Sequence, residues 1–433
     1  MARAKKEAAL TPEERLQAAL VPDWEWPYKL PENWCWTYFK SISTIQTGKK
    51  DANYGSDEGK YPFFTCAAEP IRCHGYSFDC RAILLAGNGD INNINRYNGK
   101  FEAYQRTYVV KISEPLCFNY IFYWFKYRWF DFNKGKMFGT AIPYIRLGNL
   151  QEFPTPIPPL AEQQRIVVRI ESLFSKLDEA KEKAQAVVDS FETRKAAILH
   201  KAFTGELTAK WRKEHGVGME SWEVRTLDSV CSSIFDGDHM PPPKAESGIP
   251  FLVISNVNTG HLTFENTRFV PQEYYDTLSD TRKPQLGDVL YTLVGSFGIP
   301  VVVNSKRPFC FQRHMALLRP IDVSPQFLWY ILQTPEMYDK ASSIATGTAQ
   351  LTVPIKGLRA MTIPRPNIAE QVEIVRILDG FFAREQSAKE AAEAVLDQIN
   401  LMKKSILARA FRGELGTNDP SEESAVELLK QII

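Results

Sequence analysis

A run of polar side chains, Asn88, Asp90, Asn92, Asn93, Asn95 and Arg96, lies between two strand-like stretches. Asparagine can hold adenine, and arginine guanine, through two parallel hydrogen bonds. Gln105 and Arg106 follow just beyond, and Lys49 and Lys50 come after Gly48 in a loop suited to phosphate oxygens. A second set recurs about two hundred residues on. There Gly295-Ser296-Phe297-Gly298 takes the place of the first polar loop, and Gln312, Arg313 and His314 come after it. Asp236, Asp238 and His239 stand where the lysines stood. One such set alone would more simply be a solvated turn. Two sets in corresponding loops point to side chains that read base edges.

Other chemistry is missing. The stretch 55–61 lacks the spacing and the Ser/Thr of a phosphate-binding P-loop. Gly87-Asn88-Gly89 is too short for a dinucleotide loop, and 240–243 is a proline run rather than an amino-methyltransferase motif. No G-x-S-x-G, no H-E-x-x-H and no obvious carboxylate pair is present. Cys66, Cys73 and Cys80 are evenly spaced beside His74, but no CxxC accompanies them, so buried structural thiols are favoured over a zinc site. An odd total of cysteines argues against a disulfide framework. Nothing here argues for catalysis.

The elements that position these loops are organised by a repeat. The stretch 161–207 opens AEQQRIV and closes AAILHKAFTGEL; 369–415 opens AEQVEIV and closes KSILARAFRGEL. They align without a gap at an offset of 208 residues, with nearly half of the positions identical. In the first, Ile166, Ile170, Leu173, Leu177, Ala180, Ala184, Val187 and Phe191 step by four and three, the seam of a coiled coil. In the second, Ile374, Leu378, Phe381, Ala388, Ala392, Val395, Ile399, Met402 and Ile406 do the same, with Glu385 as a break. Prolines precede both, and Gly205 and Gly413 close both. Each is predicted to be one helical rod of roughly 65 Å, at ~1.5 Å per residue.

Between the rods the plan repeats with different residues. Residues 1–32 are an N-terminal segment, expected to be mobile with a docked part around Trp24 and Trp26. Residues 33–156 form a first head with strands near 61–66, 81–86 and 108–112 and an aromatic amphipathic helix at 120–132. Residues 157–207 hold the first rod and 208–220 a polar linker. Residues 221–366 form a second head with strands near 250–254, 288–293 and 301–303 and a helical run at 325–338. Residues 367–415 hold the second rod, and 416–433 are expected to be an acidic, frayed tail. Trp222 stands where Trp34 stood, 188 positions on, and Gly139-Thr140-Ala141 returns as Gly347-Thr348-Ala349 at the 208 offset. The predicted fold is α+β: two heads of mixed sheet and helix, separated by two long antiparallel coiled-coil helices related by a pseudo-twofold repeat.

The balance of 52 basic and 51 acidic residues leaves a net charge of +1, so charge alone does not announce a nucleic-acid partner. Hydrophobic content of 44% is that of a soluble globular protein. The absence of a membrane-length apolar run and of a signal-peptide core leads to the expectation of a cytoplasmic location.

The stretches IPPLAEQQRIV…AAILHKAFTGELT (157–208) and AEQVEIVRIL…SILARAFRGEL (369–415), with heads opening LPENW and MESW, resemble the specificity (S) subunits of Type I restriction–modification systems. GIPFLVISNV (248–257) and GDVLYTLVGSFG (287–298) are similar to target-recognition domains of that family. The resemblance implies that each head reads one half of a bipartite double-stranded DNA target. It implies that the rods set the spacer and dock two methyltransferase (M) subunits, with restriction (R) subunits joining. It implies no catalytic, cofactor or metal site in this chain, S-adenosylmethionine, ATP and Mg belonging to the partners. The DNA-contact candidates are Lys49, Lys50, Asn88, Asp90, Asn92, Asn93, Arg96, Gln105, Arg106, His239, Ser296, Phe297, Gln312, Arg313 and His314. Glu162, Gln163, Phe174, Glu370, Gln371 and Phe382, at matching positions of the repeat, are candidates for facing a partner or for pairing the rods. Two other readings compete: an S subunit serving a fused nuclease–methyltransferase, and a coiled-coil scaffold that binds no DNA.

Overall fold

The computed structural model describes residues 10–237, 242–348 and 350–433. The chain divides into two compact units. One joins the chain up to Ala184 with Ala394–Ile433; the other is Gln185–Glu393. Each unit therefore holds one head, the first half of that head's own rod and the second half of the other rod.

The second rod is a single helix, Ile368–Phe411. The first is two, Leu160–Asp189 and Phe191–Phe203, interrupted only at Ser190. Backbone bonds still run from Ser190 to Ala186 and from Arg194 to Ser190, so the helical ladder carries through. Gly205 and Gly413 sit one residue past the caps at φ of +86° and +73°, where a side chain would be strained.

Within each unit the rod halves run antiparallel. In the first unit Glu162 bonds Thr417 and Asp178 pairs with Lys403. In the second, Arg194 bonds Glu385 at 2.7 Å and Lys389 lies over the Phe191 ring. Glu385, the break in the predicted seam, is thus the partner of a cation. The seam is narrower than the heptad predicts: Ala180, Ala388, Val395 and Met402 are exposed. The best-buried rod positions are those nearest the heads: Ile166 and Ile170 pack in the core of the first head, Ile374 and Leu378 in that of the second.

The first head is a six-stranded sheet in the order Ser43–Thr47, Thr107–Ile112, Phe78–Ala86, Ile94–Ala103, Tyr61–Phe64, Ile71–Cys73. All pairs are antiparallel except Tyr61–Phe64 beside Ile94–Ala103. The central strand is buried on both faces. Ile83 and Leu85 enter the core under the helix Phe118–Asn133, while Ala82 and Leu84 join a second cluster with Phe64 and Phe101. That helix buries Tyr120, Ile121, Trp124, Phe125 and Trp129, and stacks Trp124 on Phe153 with ring centroids 5.7 Å apart.

The second head repeats this sheet in two pieces. Cys231–Asp236, Met315–Pro320, Val289–Thr292 and Pro300–Val302 form one, and Arg268–Val270, Ile249–Leu252 and Cys310–Phe311 the other. The long strand Ile94–Ala103 of the first head corresponds to Pro300–Val302 plus Cys310–Phe311. Pro308 lies in the break and offers no N–H to a ladder. The expected helical run 325–338 is two helices, Pro325–Leu332 and Pro335–Ile344, each started by a proline and capped by Ser324 or Thr334.

The tail departs from expectation. Residues 425–430 form a helix with Ala425 and Leu429 fully buried in the first head's core. Asn33 and Trp34 both donate to Asn418 Oδ1, and Arg15 donates to the carbonyl of Ile433. An acidic sequence looks frayed until its apolar positions find a partner nearly four hundred residues away. The first described N-terminal stretch is ordered too: Pro12–Ala19 is a helix with the Thr11/Glu14 capping box, and Trp26 Nε1 donates to Val21 O. Trp24, by contrast, is 85% exposed.

Candidate nucleic-acid interface

In the first head, four loops converge at one edge of the sheet. The lysine loop follows Ser43–Thr47, the loop at Gly87 follows Phe78–Ala86, and the turn Tyr104-Gln105-Arg106 precedes Thr107–Ile112. The fourth is a hairpin closed by the Phe138–Tyr144 bridge. Backbone bonds lock them together. Tyr104 N donates to Phe64 O, Gly48 N to Thr107 O and Gly87 N to Arg106 O. Gln105 N donates to Lys50 O, Gly89 N to Pro143 O and Ile145 N to Gly87 O. A cavity of about 330 Å³ opens there, lined by Thr47, Gly87, Gln105, Arg106, Tyr108 and Ile145.

The second head builds the same lattice from other residues. Gln312 N donates to Leu252 O, Gly237 N to Met315 O and Leu293 N to His314 O. Gly295 N donates to Leu351 O and Val353 N to Leu293 O. Each bond has its counterpart above. Gln105 and Arg106 are therefore the structural equivalents of Arg313 and His314, and Gln312 that of Tyr104.

Side chains at this edge are of two kinds. Lys49, Arg106 and Arg313 are exposed. Gln105 Nε2 donates to Asp51 Oδ1 at 2.8 Å, and Lys50 Nζ lies 4.4 Å from the Tyr54 ring centre, so both are held in place but reachable. His314 is half-buried; burial, then the Arg313 charge, lowers its imidazole below the ordinary range. At neutral pH it offers one donor and one acceptor, as a base edge does. Ser296 is exposed, and its carbonyl accepts from the Thr292 hydroxyl.

Other candidates make contacts within the head. Arg96 is in the strand Ile94–Ala103, its guanidinium 4.7 Å from the Phe122 ring centre and bonded to Asn119 Oδ1. Asn93 donates to Cys66 O, and Asn95 to Ala68 O. Asn92 donates twice to Asp90 Oδ1, and Asn88 bridges Tyr144. Phe297 is buried and stacks on Tyr338 at 5.4 Å. Arg96, Asn93 and Phe297 are thus engaged with groups of their own head, while Asn88 stays at the edge through its backbone. His239 lies outside the described residues. Beside the edge stand exposed Phe138, Ile142 and Arg146, which the base-edge chemistry of single residues did not single out. The only sequence signal for them is the recurrence of Gly-Thr-Ala.

The matched rod residues form a joint rather than a free face. Glu162, Gln163, Glu370 and Gln371 are fully buried. Gln163 Oε1 accepts from Cys117 N and its amide donates to Pro158 O; Gln371 does the same with Ser324 N and Pro366 O. Glu162 accepts from the Thr417 hydroxyl and pairs with Arg165, which also holds Glu422 with two bonds of 2.8 Å. Burial pushes the Glu162 carboxyl up from its usual range, against the hydroxyl and guanidinium that lower it. Glu370 accepts from Thr208, Arg212 and Trp222. Phe174 packs on Tyr123 and Phe382 on Tyr330, each a residue of its own unit's head. None of the four carboxylates and amides is available to a partner.

A family model described as the Type I restriction modification DNA specificity domain matches residues 31–188 and again 219–396. The chain belongs to this Type I specificity family. The specificity subunit of the EcoDI Type I restriction enzyme of Escherichia coli is 28% identical over 90% of this chain and 92% of its own length. That of the MjaVIII enzyme of Methanocaldococcus jannaschii is 26% identical over 70% of this chain and 71% of its own. Among solved structures, a chain from a study of complex assembly and conformational transition in a type I R-M system superposes with a TM-score of 0.67. The HsdS subunit of Thermoanaerobacter tengcongensis gives 0.58. Both are 22% identical and cover 90% of this chain and all of theirs, so they speak to the fold. Among the described residues no helix of this specificity subunit is long and apolar enough to cross a membrane.

Proposed function

We propose that each head reads one half of a bipartite duplex DNA target and that the rods set the number of unread base pairs between the halves. The observation that carries this reading is the duplicated edge. One backbone lattice, built twice, presents Gln105 and Arg106 in one head and Arg313 and His314 in the other. Bidentate contacts from such groups distinguish bases, and Lys49 and Lys50 suit the phosphates beside them. Half-sites on one face of duplex DNA recur every ~34–36 Å, within the ~65 Å that a rod of this length covers.

The chain works as a non-catalytic subunit in the cytoplasm. Two M subunits supply S-adenosylmethionine and methylate adenine N6 in each half, and R subunits add ATP- and Mg-dependent translocation and cleavage. With the joint residues buried, the M subunits take the outer rod faces, where Val168 and Val372 are 67% and 59% exposed.

Rod length tests the reading. Inserting about four residues, one helical turn, near the end of the first rod is expected to change the unread gap while leaving both halves as they were, scored by sequencing methylated DNA. An unchanged gap, or an altered half, would contradict the spacer role.

A further inference from the structure

Gly139-Thr140 in one hairpin and Gly347-Thr348 in the other are shared by both heads while the reading turns differ, so this pair does not distinguish one half-site from the other. Resting on the bipartite-DNA reading above, we propose that the hairpins at 138–144 and 346–352 grip the sugar-phosphate backbone beside each half-site, through Thr140 and Thr348.

Position comes first. Each hairpin is bonded to the reading edge of its own head in the same way: Asn88 and Phe138 both bridge Tyr144, and Val294 and Thr346 both bridge Thr352. A surface that presents Arg106 or Arg313 to a groove brings the hairpin against the groove wall.

Exposure comes second. Phe138, Gly139, Thr140, Ala141 and Ile142 are all exposed, as are Thr346, Gly347, Thr348 and Gln350. The hairpin's own geometry accounts for the shared glycines, but packing does not dictate the exposed Thr140 and Thr348, which heads that differ in most other residues nevertheless share. The backbone of duplex DNA is what two different half-sites have in common. Gly139 and Gly347 hold φ of +83° and +115°, and a Cβ at either would come within 2.7 Å of a carbonyl oxygen across the hairpin. The glycines are thus a requirement of the turn, and Thr140 and Thr348 are the shared side chains left to account for.

Charge comes third. The chain carries 51 acidic residues, yet none falls between Phe132 and Gln151 or between Lys340 and Ile368. Those stretches carry Lys134, Lys136 and Arg146 in one head and Lys340, Lys356, Arg359 and Arg365 in the other. Some are occupied: Arg365 pairs with Asp322, and Lys340 donates to Thr362 O. Lys134, Lys136, Arg146 and Lys356 are exposed, Lys136 and Arg146 lying over the Phe132 and Phe138 rings with centre distances of 3.7 and 3.9 Å. Phosphate neutralisation by such groups is independent of sequence.

The test uses the full chain assembled with its M subunits, and two duplexes of equal length, one with the target and one with the target scrambled. Thr140→Glu and Thr348→Glu are each expected to weaken binding to both duplexes by about tenfold and by the same factor, with the methylated sequence unchanged. Thr→Val at either position, which keeps shape and removes the hydroxyl, is expected to act in the same direction. Arg146→Gln is expected to lower the slope of log affinity against log salt by about one. The Val and Gln variants decide the matter if a Glu variant fails to fold. Unchanged affinity for both duplexes would overturn the proposal. So would a changed methylated sequence, which would make the hairpin a base reader, or a loss of M subunits with DNA binding intact, which would make it a protein interface. If the wild-type complex cannot tell the two duplexes apart, it is the bipartite reading that fails, not the hairpin.

Discussion

Glu370→Ala is expected to cost the second unit about 3–5 kcal/mol, because it strands a buried cation. Arg212 is 7% exposed, and its guanidinium bonds Glu370, Thr208 and the carbonyl of Gly205. Without the carboxylate, Arg212 keeps its charge and loses its counter-ion, and Trp222 Nε1 loses its acceptor. The matching change in the first unit, Glu162→Ala, is expected to cost less. Arg165 is 39% exposed there and still holds Glu422. Chemical denaturation of the two variants, followed by the fluorescence of tryptophans in each head, checks the order. Equal losses would mean that the buried pair adds nothing beyond its hydroxyl contacts. The double change Arg212→Met with Glu370→Leu is expected to recover much of the loss, since well-packed apolar residues often replace a buried ion pair without penalty.

Exchanging residues 33–156 for the head of another specificity subunit is expected to rewrite one half of the methylated target and leave the other untouched. The effect is all-or-none, because every candidate base contact of the first head, from Lys49 to Arg106, travels with the exchanged segment. The head keeps its seat only if the incoming residues still meet the joint. Gln163 must find a backbone N–H at the position of Cys117, and the residue at the position of Tyr120 must still meet the Phe411 ring. Sequencing of methylated DNA reads the result. A change in both halves would mean that the heads do not read independently.

The rods were the most legible part of the sequence, because a 3.5-residue period and a gapless repeat depend only on residues close together in the chain. The strands at 61–66, 81–86 and 108–112 were legible within a few residues for the same reason. Side-chain direction was not. Arg96 stood among asparagines and looked like a loop residue, yet the strand starting at Ile94 turns it onto the aromatic helix. Phe297 stood between glycines and looked exposed, yet it faces Tyr338. Glu162 and Glu370 matched across the repeat, which marked them as important without saying whether they face inward or out. The tail was illegible because Ala425 and Leu429 find their core against residues near the other terminus. Gln105, Arg106, Arg313 and His314 were picked out by residue type; that Gln105 matches Arg313 and Arg106 matches His314 became visible only through the backbone bonds that hold both turns.

Mapping every methylated adenine in cells that carry this chain with its M subunits tests the two-reader account most directly. The account predicts two short half-sites of different sequence, one methylated adenine in each, separated by a gap of fixed length and free composition. A single uninterrupted target, or a gap that varies from site to site, would contradict it.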